Sequence, residues 1–154
     1  MKDLKYFKEI PSTDLPLGAL ISIIHRVQNI NINQGIKKLG INASQAGYLL
    51  KLLHSTNMTQ DELSTQYHID KGAVARGLCR LEEDEFIIRK RNQTNKRCYQ
   101  ISLTPKGEEV AKEIEKLNNI WEEHICKDLT QEKKEELQEN LKMIVLKTIE
   151  LNEK

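Results

Sequence analysis

The sequence lacks the features of secreted and membrane-spanning proteins. Its 154 residues include only three cysteines, an odd and scattered number without a CxxC pair, which favours reduced thiols over a disulfide framework. No apolar run approaches the ~20 residues of a membrane span, since "GALISII" is followed at once by His25 and Arg26. The N-terminus also lacks the basic-then-apolar order of an export signal. We therefore predict a cytoplasmic protein with no membrane partner.

Signals of catalysis are also missing. No glycine-rich phosphate loop, nucleophile–base pair or carboxylate pair stands out, and no group of His, Cys, Asp and Glu has the spacing of metal ligands. The sequence therefore predicts no enzyme, no cofactor and no metal site. A chain of this length forms one domain, or one domain with an extension.

Positive charge is concentrated in the middle of the chain. The totals are nearly equal, with 24 Lys and Arg against 23 Asp and Glu. Residues 68–107 carry 9 basic and 5 acidic side chains, whereas residues 108–154 carry 8 and 13. Within the basic part, "RKRNQTNKR" (residues 89–97) holds five cations and no acid. Such a run is either a solvated loop or a surface for a polyanion.

Two apolar helical patterns precede this basic part. The first, "LPLGALISIIHRVQNININQGIKKLG", is predicted to begin near Asp14, which can cap it, and to stop at Gly40. The second, "INASQAGYLLKLLHS", is predicted to be capped by Ser44. The apolar side of this second helix is expected to consist of Ala46, Leu49, Leu50 and Leu53.

The next two patterns predict a helix-turn-helix. In "TQDELSTQYHI", Thr59 and Glu62 match a capping box, in which a hydroxyl and a carboxylate each satisfy a free backbone N–H. In "DKGAVARGLCRLEEDEF", Asp70 is the predicted cap, and Cys79 is expected to be packed. The predicted buried stripe is Val74, Leu78, Leu81 and Phe86. A turn of three or four residues between two short helices is typical of this motif.

A β-hairpin and two long helices complete the chain. "FIIRKR" and "CYQISLT" read as strands, because Tyr99, Ile101 and Leu103 alternate with Cys98, Gln100 and Ser102. The basic run therefore forms the arms and tip of the hairpin. Pro105 fits the first position of the next helix, where its missing N–H costs nothing. Two apolar seams close to a heptad pattern then span residues 108–154.

This order of elements is typical of a DNA-binding protein that recognises base sequence. A helix in the major groove contacts base edges, and an Arg on an adjacent hairpin is drawn into a narrow minor groove. A hairpin with five unopposed cations is stable when a polyanion supplies the counter-charge. The predicted fold class is therefore mainly α with a small β-hairpin wing (α+β), a winged helix-turn-helix.

The segment "DKGAVARGLCRLEEDEFIIRKRNQTNKRCYQISLTPKG" resembles the winged-helix core of the MarR (multiple antibiotic resistance regulator) family. Family members show an Asp-Lys helix start, an Arg a few residues on, "LE", a hydrophobic strand, an Asp-x-Arg wing and "LTxxG". The matching residues here are Asp70-Lys71, Arg76, Leu81-Glu82, Ile87-Ile88, Asn95-Lys96-Arg97 and Leu103-Thr104-Pro105-Lys106-Gly107. Asn95 departs from the family's wing Asp, which removes a charge-assisted pair with Arg97. The resemblance spans almost the whole chain.

The resemblance implies a homodimer whose two recognition helices lie about one DNA turn, ~34–36 Å, apart. The winged helix-turn-helix would then be flanked by long N- and C-terminal dimerisation helices. The expected division is residues 1–40 for the N-terminal segment and dimerisation helix, 41–107 for the DNA-binding domain and 108–154 for the C-terminal dimerisation helices.

The helix pattern and the resemblance together predict the contacts with double-stranded DNA. Arg76 is expected to bind guanine in a bidentate manner, with a phosphate contact or a salt bridge to Glu83 as alternatives. Ser44, Thr59 and Gln60 lie at helix starts, where backbone N–H groups meet phosphates and plain capping is the other role. Arg97 is expected to enter the minor groove. The predicted DNA-binding residues are Ser44, Thr59, Gln60, Lys71, Gly72, Ala75, Arg76, Arg80, Arg91, Asn95, Lys96 and Arg97.

The predicted function is a homodimeric, sequence-specific transcriptional regulator, a repressor, that reads a pseudo-palindromic operator. The resemblance also implies a small phenolic or anionic aromatic effector, with His25, Arg26 and Tyr48 as candidates to line its cleft. His25 is otherwise a core or interface residue. The alternative function is a winged-helix adaptor that binds proteins of the transcription machinery. Replacing Lys96 and Arg97 with Ala distinguishes the two, because an adaptor would keep its partner.

Overall fold

The computed structural model describes residues 2–55, 58–67, 69–91 and 99–152. The helices in these ranges are α1 (Lys2–Glu9), α2 (Leu17–Ile36), α3 (Ala43–Leu53), α4 (Gln60–Tyr67), α5 (Lys71–Glu83), α6 (Pro105–Cys126) and α7 (Gln131–Asn152). The strands are β1 (Met58–Thr59), β2 (Ile87–Arg91) and β3 (Tyr99–Leu103), and short 3-10 turns cover Ser12–Asp14 and Lys37–Leu39. The predicted class, mainly α with a small β wing, is confirmed.

The start of α2 differs from the prediction. Asp14 lies in a 3-10 turn and accepts a hydrogen bond from the Thr13 hydroxyl at 3.3 Å, so it does not cap α2. The cause is Pro16, which forces the preceding Leu15 into an extended conformation with φ −91° and ψ 116°. Pro16 is itself the N-cap, with a non-helical ψ of 130°, so the helix begins at Leu17. α1 was not predicted at all.

The cap of α3 is Asn42 and not Ser44. The Asn42 side chain accepts from the Gln45 N–H at 3.0 Å, and the Gln45 side chain accepts from the Asn42 N–H at 3.0 Å. This reciprocal capping box satisfies two free backbone N–H donors. A cap at Ser44 could not form one, because the residue three positions later is Gly47, which has no side chain to reach back. Gly40 ends the preceding turn as predicted, with φ at 71°.

The predicted caps of the helix-turn-helix are confirmed. Thr59 and Glu62 form the capping box before α4, and Asp70 accepts from the Ala73 N–H at 2.9 Å. The predicted stripe of Val74, Leu78, Leu81 and Phe86 is buried. Cys79, however, is exposed, because the helix rotates it about 100° away from the buried Leu78.

The three strands form an antiparallel sheet in the order β1-β3-β2. Ile87 pairs with Leu103, Arg89 with Ile101, and Arg91 with Tyr99. The two-residue β1 was not predicted, because two residues carry no periodic signal. The predicted alternation in β3 holds at Ile101, which is buried, and fails at Tyr99, which is 44% exposed. Cys98 lies outside the described residues.

The hydrophobic core joins α2, α3, α4, α5, α6 and the sheet. In α3 the buried apolar residues are Ala46, Tyr48, Leu49 and Leu52, whereas Leu50 and Leu53 are only partly buried against them. The largest fully buried side chains of the core are Ile36, Leu49, Leu63, Leu78, Leu81, Ile87, Ile101, Ile114 and Val74. The core thus holds α5 and the wing strands on one scaffold.

A close contact joins the end of α5 to the start of α6. The Thr104 N–H donates to the Phe86 carbonyl at 3.0 Å, and the Thr104 hydroxyl donates to the Glu85 carbonyl at 2.7 Å. A Cβ on Gly107 would lie only 1.9 Å from the Phe86 oxygen, so this position requires glycine. Glu85 has φ of 61°, in the left-handed region.

The chain divides into two compact units, residues 1–117 and 118–154. The second unit holds the end of α6 and all of α7. An ion pair of 2.7 Å between Glu122 on α6 and Lys134 on α7 connects these two helices. No side chain is buried in the described part of that unit. Its exposed large apolar residues are Ile120, Ile125, Leu129, Leu137, Leu141, Met143, Val145, Leu146 and Leu151. Over the ranges that the structure covers, none of the helices has the length and apolar character of a membrane span.

Candidate nucleic-acid interface

The outer face of α5 carries two arginines one helical turn apart. Arg76 and Arg80 are exposed on the side of the helix opposite to Val74, Leu78 and Leu81. Within the described residues, neither guanidinium has a carboxylate within 4.0 Å. The salt bridge considered as an alternative for Arg76 is therefore not formed. Both charges remain available to an anion.

Small and basic residues surround this face at the start of α5. Gly72 and Ala75 are partly exposed. A Cβ on Gly72 would lie 3.0 Å from the Asp70 carboxylate and 3.3 Å from Arg76 Nη1, so a side chain there would crowd both. Lys71 is exposed, but its Nζ lies 2.8 Å from the Asp61 carboxylate on α4. A phosphate contact by Lys71 would have to replace this ion pair.

A groove of about 570 Å³ is lined by residues of α3 and α5. Ser44 lies at its α3 side, and Arg76, Cys79 and Arg80 lie at its α5 side. Tyr48 forms part of the wall, and its burial raises the pKa of the phenol. The groove therefore brings the predicted residues Ser44, Arg76 and Arg80 together.

Gly77 sets the distance between α5 and α3. A Cβ at this position would lie 2.6 Å from Tyr48 Cε2, closer than real contacts allow. The missing side chain lets α5 pack directly over the tyrosine ring. We did not predict this role, although a glycine inside a helical pattern signals a close approach.

The start of α4 is occupied by its own cap. The Thr59 N–H and hydroxyl both donate to the Glu62 carboxylate, at 2.7 and 2.9 Å. These hydrogen bonds lower the pKa of Glu62. Gln60 follows as the first residue of α4 and is partly exposed. A phosphate at Thr59 or Gln60 stays a prediction, and it would lie beside the Glu62 charge.

The strand register divides the cations of β2 between the two faces of the sheet. Arg89 and Arg91 point to the same face as the buried Ile87, whereas Lys90 points to the other face. Arg91 is exposed and lies across from Tyr99, with its guanidinium carbon 5.9 Å from the ring centroid. Its Nε donates to the Tyr99 hydroxyl at 3.4 Å, and this hydrogen bond raises the pKa of Arg91. Tyr99 thus orders the side chain of Arg91, which we predict to contact a phosphate.

The remaining predicted site residues lie either outside the described residues or on α2, away from the groove. Asn95, Lys96 and Arg97 lie outside the described residues. His25 and Arg26 are exposed on α2, and His25 Nε2 lies 3.0 Å from Asn29 Nδ2. Neither is among the residues that line the groove containing Tyr48. The groove therefore contains one of the three effector candidates, Tyr48.

The helix-turn-helix of α4 and α5, followed by a strand pair with basic residues, defines a winged helix-turn-helix protein. The model of the MarR family matches residues 41–99. The regulator BilQ of Clostridioides difficile, described as an HTH-type transcriptional regulator, is 32% identical over 97 residues, which span 63% of this chain and 66%, just under two thirds, of that relative.

Solved structures agree with the sequence match. A crystal structure of MarR superimposes with a TM-score of 0.81 at 31% identity, covering 94% of this chain and 98% of that one. A MarR-family regulator from Listeria monocytogenes, complexed with 26mer DNA, gives a TM-score of 0.83 over 86% of this chain and 89% of that one. At 24% identity this second likeness shows the fold alone. The chain belongs to the MarR family of DNA-binding transcriptional regulators, which are not enzymes.

Proposed function

We propose that this regulator is a homodimeric repressor that reads a pseudo-palindromic operator, with α5 in the major groove and the β2–β3 wing in the minor groove. The observation that carries the proposal is the exposed pair Arg76 and Arg80, which has no carboxylate within 4.0 Å among the described residues. Two cations one turn apart repel each other, and phosphates or guanine edges offset that repulsion. The small residues Gly72 and Ala75 beside them allow a close approach to the bases.

The wing supports the same proposal. Lys90 and Arg91 are both exposed at the C-terminal end of β2. The stack on Tyr99 orders the Arg91 side chain before DNA arrives, which lowers the entropy cost of a phosphate contact. Arg97, which lies outside the described residues, is the residue that we propose for the minor groove.

A second copy of the chain is the partner that we propose for the exposed apolar faces. Along α2, Leu17, Ile21, Ile24, Val27 and Ile30 are each at least 41% exposed and recur at steps of three and four residues. An apolar stripe at this spacing is normally covered by another helix. The unit of residues 118–154 likewise needs an external partner, because its described part buries no side chain of its own.

The DNA proposal is tested with sequences selected from random duplexes and with Arg76→Ala. Loss of a bidentate guanine contact should weaken binding by about 1–3 kcal/mol, roughly 5–150-fold, and relax the preference at one base pair per half-site. Lys116→Ala, which removes an exposed cation of α6, is the matched control and should change affinity little. An equal loss on all duplexes would assign Arg76 to a phosphate instead.

The double variant Lys96→Ala with Arg97→Ala distinguishes the DNA-binding proposal from the adaptor alternative. The repressor proposal expects this double variant to lose much of its DNA affinity and to show a smaller salt dependence, by about 0.9 in slope for each lost phosphate contact. An adaptor would keep its protein partner and would show no duplex preference in the first place. Retained DNA affinity in the double variant would contradict the wing assignment.

The dimer is tested by Ile24→Asp, which places a charge in the α2 stripe where Ile24 is 53% exposed. A buried unpaired carboxylate in an interface is costly, so we expect the variant to run as a monomer in light scattering. Ile88→Asp is the control, because Ile88 is 38% exposed on the wing and outside the proposed interface. An unchanged mass for Ile24→Asp would remove α2 from the interface.

A small phenolic or anionic aromatic effector is the part of the proposal that rests on the family resemblance. The supporting feature is the groove of about 570 Å³ with Tyr48, Arg76 and Arg80, a volume within the range of small-molecule sites. Salicylate should then raise the melting temperature of the free protein and release the selected duplex. If it does neither, effector control by this class of compound is contradicted.

A further inference from the structure

Arg89 differs from the other described cations of the wing. Its side chain is only 22% exposed, whereas Lys90 and Arg91 beside it are exposed. Its Nε lies 3.0 Å from the Oε2 of Glu82, in the last turn of α5. The contact is an ion pair by distance, but its angle falls outside that of a hydrogen bond, and Nε and Nη2 are fully enclosed without an acceptor.

We infer that Arg89 is a positioning residue, which ties strand β2 to the end of the recognition helix and thereby fixes where the wing meets DNA. The inference rests on the proposed function, since it concerns how the wing is aimed. Nε and Nη2 of Arg89 are enclosed and not open to a phosphate. Its guanidinium is therefore directed to Glu82, whereas Lys90 and Arg91 are exposed on β2.

The link between Arg89 and Glu82 also stabilises the observed register of β2 against β3. Arg89 pairs with Ile101, and both lie on the inner face of the sheet. A slip of one residue would turn Arg89 outward and place Lys90 against the core, while a slip of two would move Arg91 by about 6.6–6.8 Å. An enclosed guanidinium that loses its carboxylate is strongly disfavoured, so Glu82 favours the one register that is observed.

Glu82 provides a test in which positioning and simple electrostatics predict opposite signs. Glu82→Gln removes a negative charge next to the DNA face, so electrostatics alone predicts tighter binding. If Glu82 acts through Arg89, the same change weakens binding to the selected duplex, by about fivefold, the size typical of coupled neighbours. The matched control is Glu83→Gln, which removes the adjacent acid of α5 and should leave affinity unchanged or raise it.

A double-mutant cycle with Arg97→Ala identifies the wing as the element that is positioned. When the wing is already misaligned by Arg89→Met, the further loss from Arg97→Ala should be about fivefold smaller than in the wild-type protein. Lys90→Met removes the neighbouring, outward cation, and its effect should add to that of Arg97→Ala. All variants are compared at a temperature at which circular dichroism shows them folded.

The outcomes separate this inference from the proposed function. Tighter binding by Glu82→Gln, or additive effects of Arg89→Met and Arg97→Ala, would overturn the positioning role while DNA reading stands. Hydrogen exchange of the β2–β3 amides supplies a readout without DNA, and it should rise in Arg89→Met and Glu82→Gln but not in Lys90→Met. If the protein binds no duplex but exchange rises in this pattern, the positioning role of Arg89 is supported and the repressor proposal is contradicted. Unchanged exchange would contradict the link between Arg89 and Glu82 itself.

Discussion

Gly107→Ala is expected to destabilise the protein at the junction between the winged domain and α6. The added Cβ would lie 1.9 Å from the Phe86 carbonyl oxygen, so the two segments must separate by at least about 1 Å to restore a tolerable contact of 3.0 Å. The neighbouring atom belongs to the backbone, and it cannot rotate away as a side chain can. The strain therefore falls on the hydrogen bonds of the junction.

The magnitude follows from those contacts. The separation would strain the bonds from the Thr104 N–H to the Phe86 carbonyl and from the Thr104 hydroxyl to the Glu85 carbonyl. Two hydrogen bonds contribute about 2 kcal/mol, and overpacking costs about 1–3 kcal/mol. The better helix propensity of alanine offsets about 1 kcal/mol. The expected loss is about 2–4 kcal/mol, or a fall of roughly 4–16 °C in Tm for a chain of this size.

Thermal and urea unfolding followed by circular dichroism measure this loss. The matched control is Gly18→Ala in the first turn of α2, where a Cβ meets nothing within 4 Å. That change should be neutral or stabilise by up to about 1 kcal/mol. A Tm for Gly107→Ala equal to that of the wild-type protein would refute the steric reasoning.

Two further substitutions test local features of the fold. Glu85→Gly should raise the free energy of unfolding by about 1 kcal/mol in urea titrations, because Glu85 holds φ at 61° and glycine adopts this conformation without a Cβ clash; a destabilised variant would contradict this. Glu62 has a folded pKa below its ordinary 4.5, so its contribution is present above that value and is lost as pH falls through the folded pKa. The stability difference between the wild-type protein and Glu62→Gln should therefore be largest near neutral pH and shrink below about pH 4.5. A difference that does not change with pH would rule out the charged cap at Thr59.

Local signals were predicted well from the sequence. The caps at Thr59 and Asp70 depend on residues three positions apart, and both are present as predicted. The cap of α3 was wrong, because Asn42 and Ser44 are both suitable residues and only the reciprocal contact with Gln45 decides between them. Helix boundaries set by such near-equal candidates cannot be separated by composition.

Features that depend on distant contacts were not predictable. In the sequence, Arg89 has the same charge as its neighbours, whereas strand register and the position of Glu82 make it half-buried and paired with a carboxylate. The approach of Gly77 to Tyr48 depends on how two helices cross, which a single sequence does not reveal. The predicted DNA contacts stay predictions, and they now include three that share one groove, Ser44, Arg76 and Arg80.

The most direct test of the account is selection of bound sequences from random duplex DNA with the purified full chain. Two α5 helices held one DNA turn apart should enrich an imperfect palindrome whose half-sites lie about 10–10.5 base pairs apart, centre to centre. Recovery of unenriched sequences, or of a single half-site without its mirror image, would contradict the claim that a dimer presents two recognition helices to one duplex.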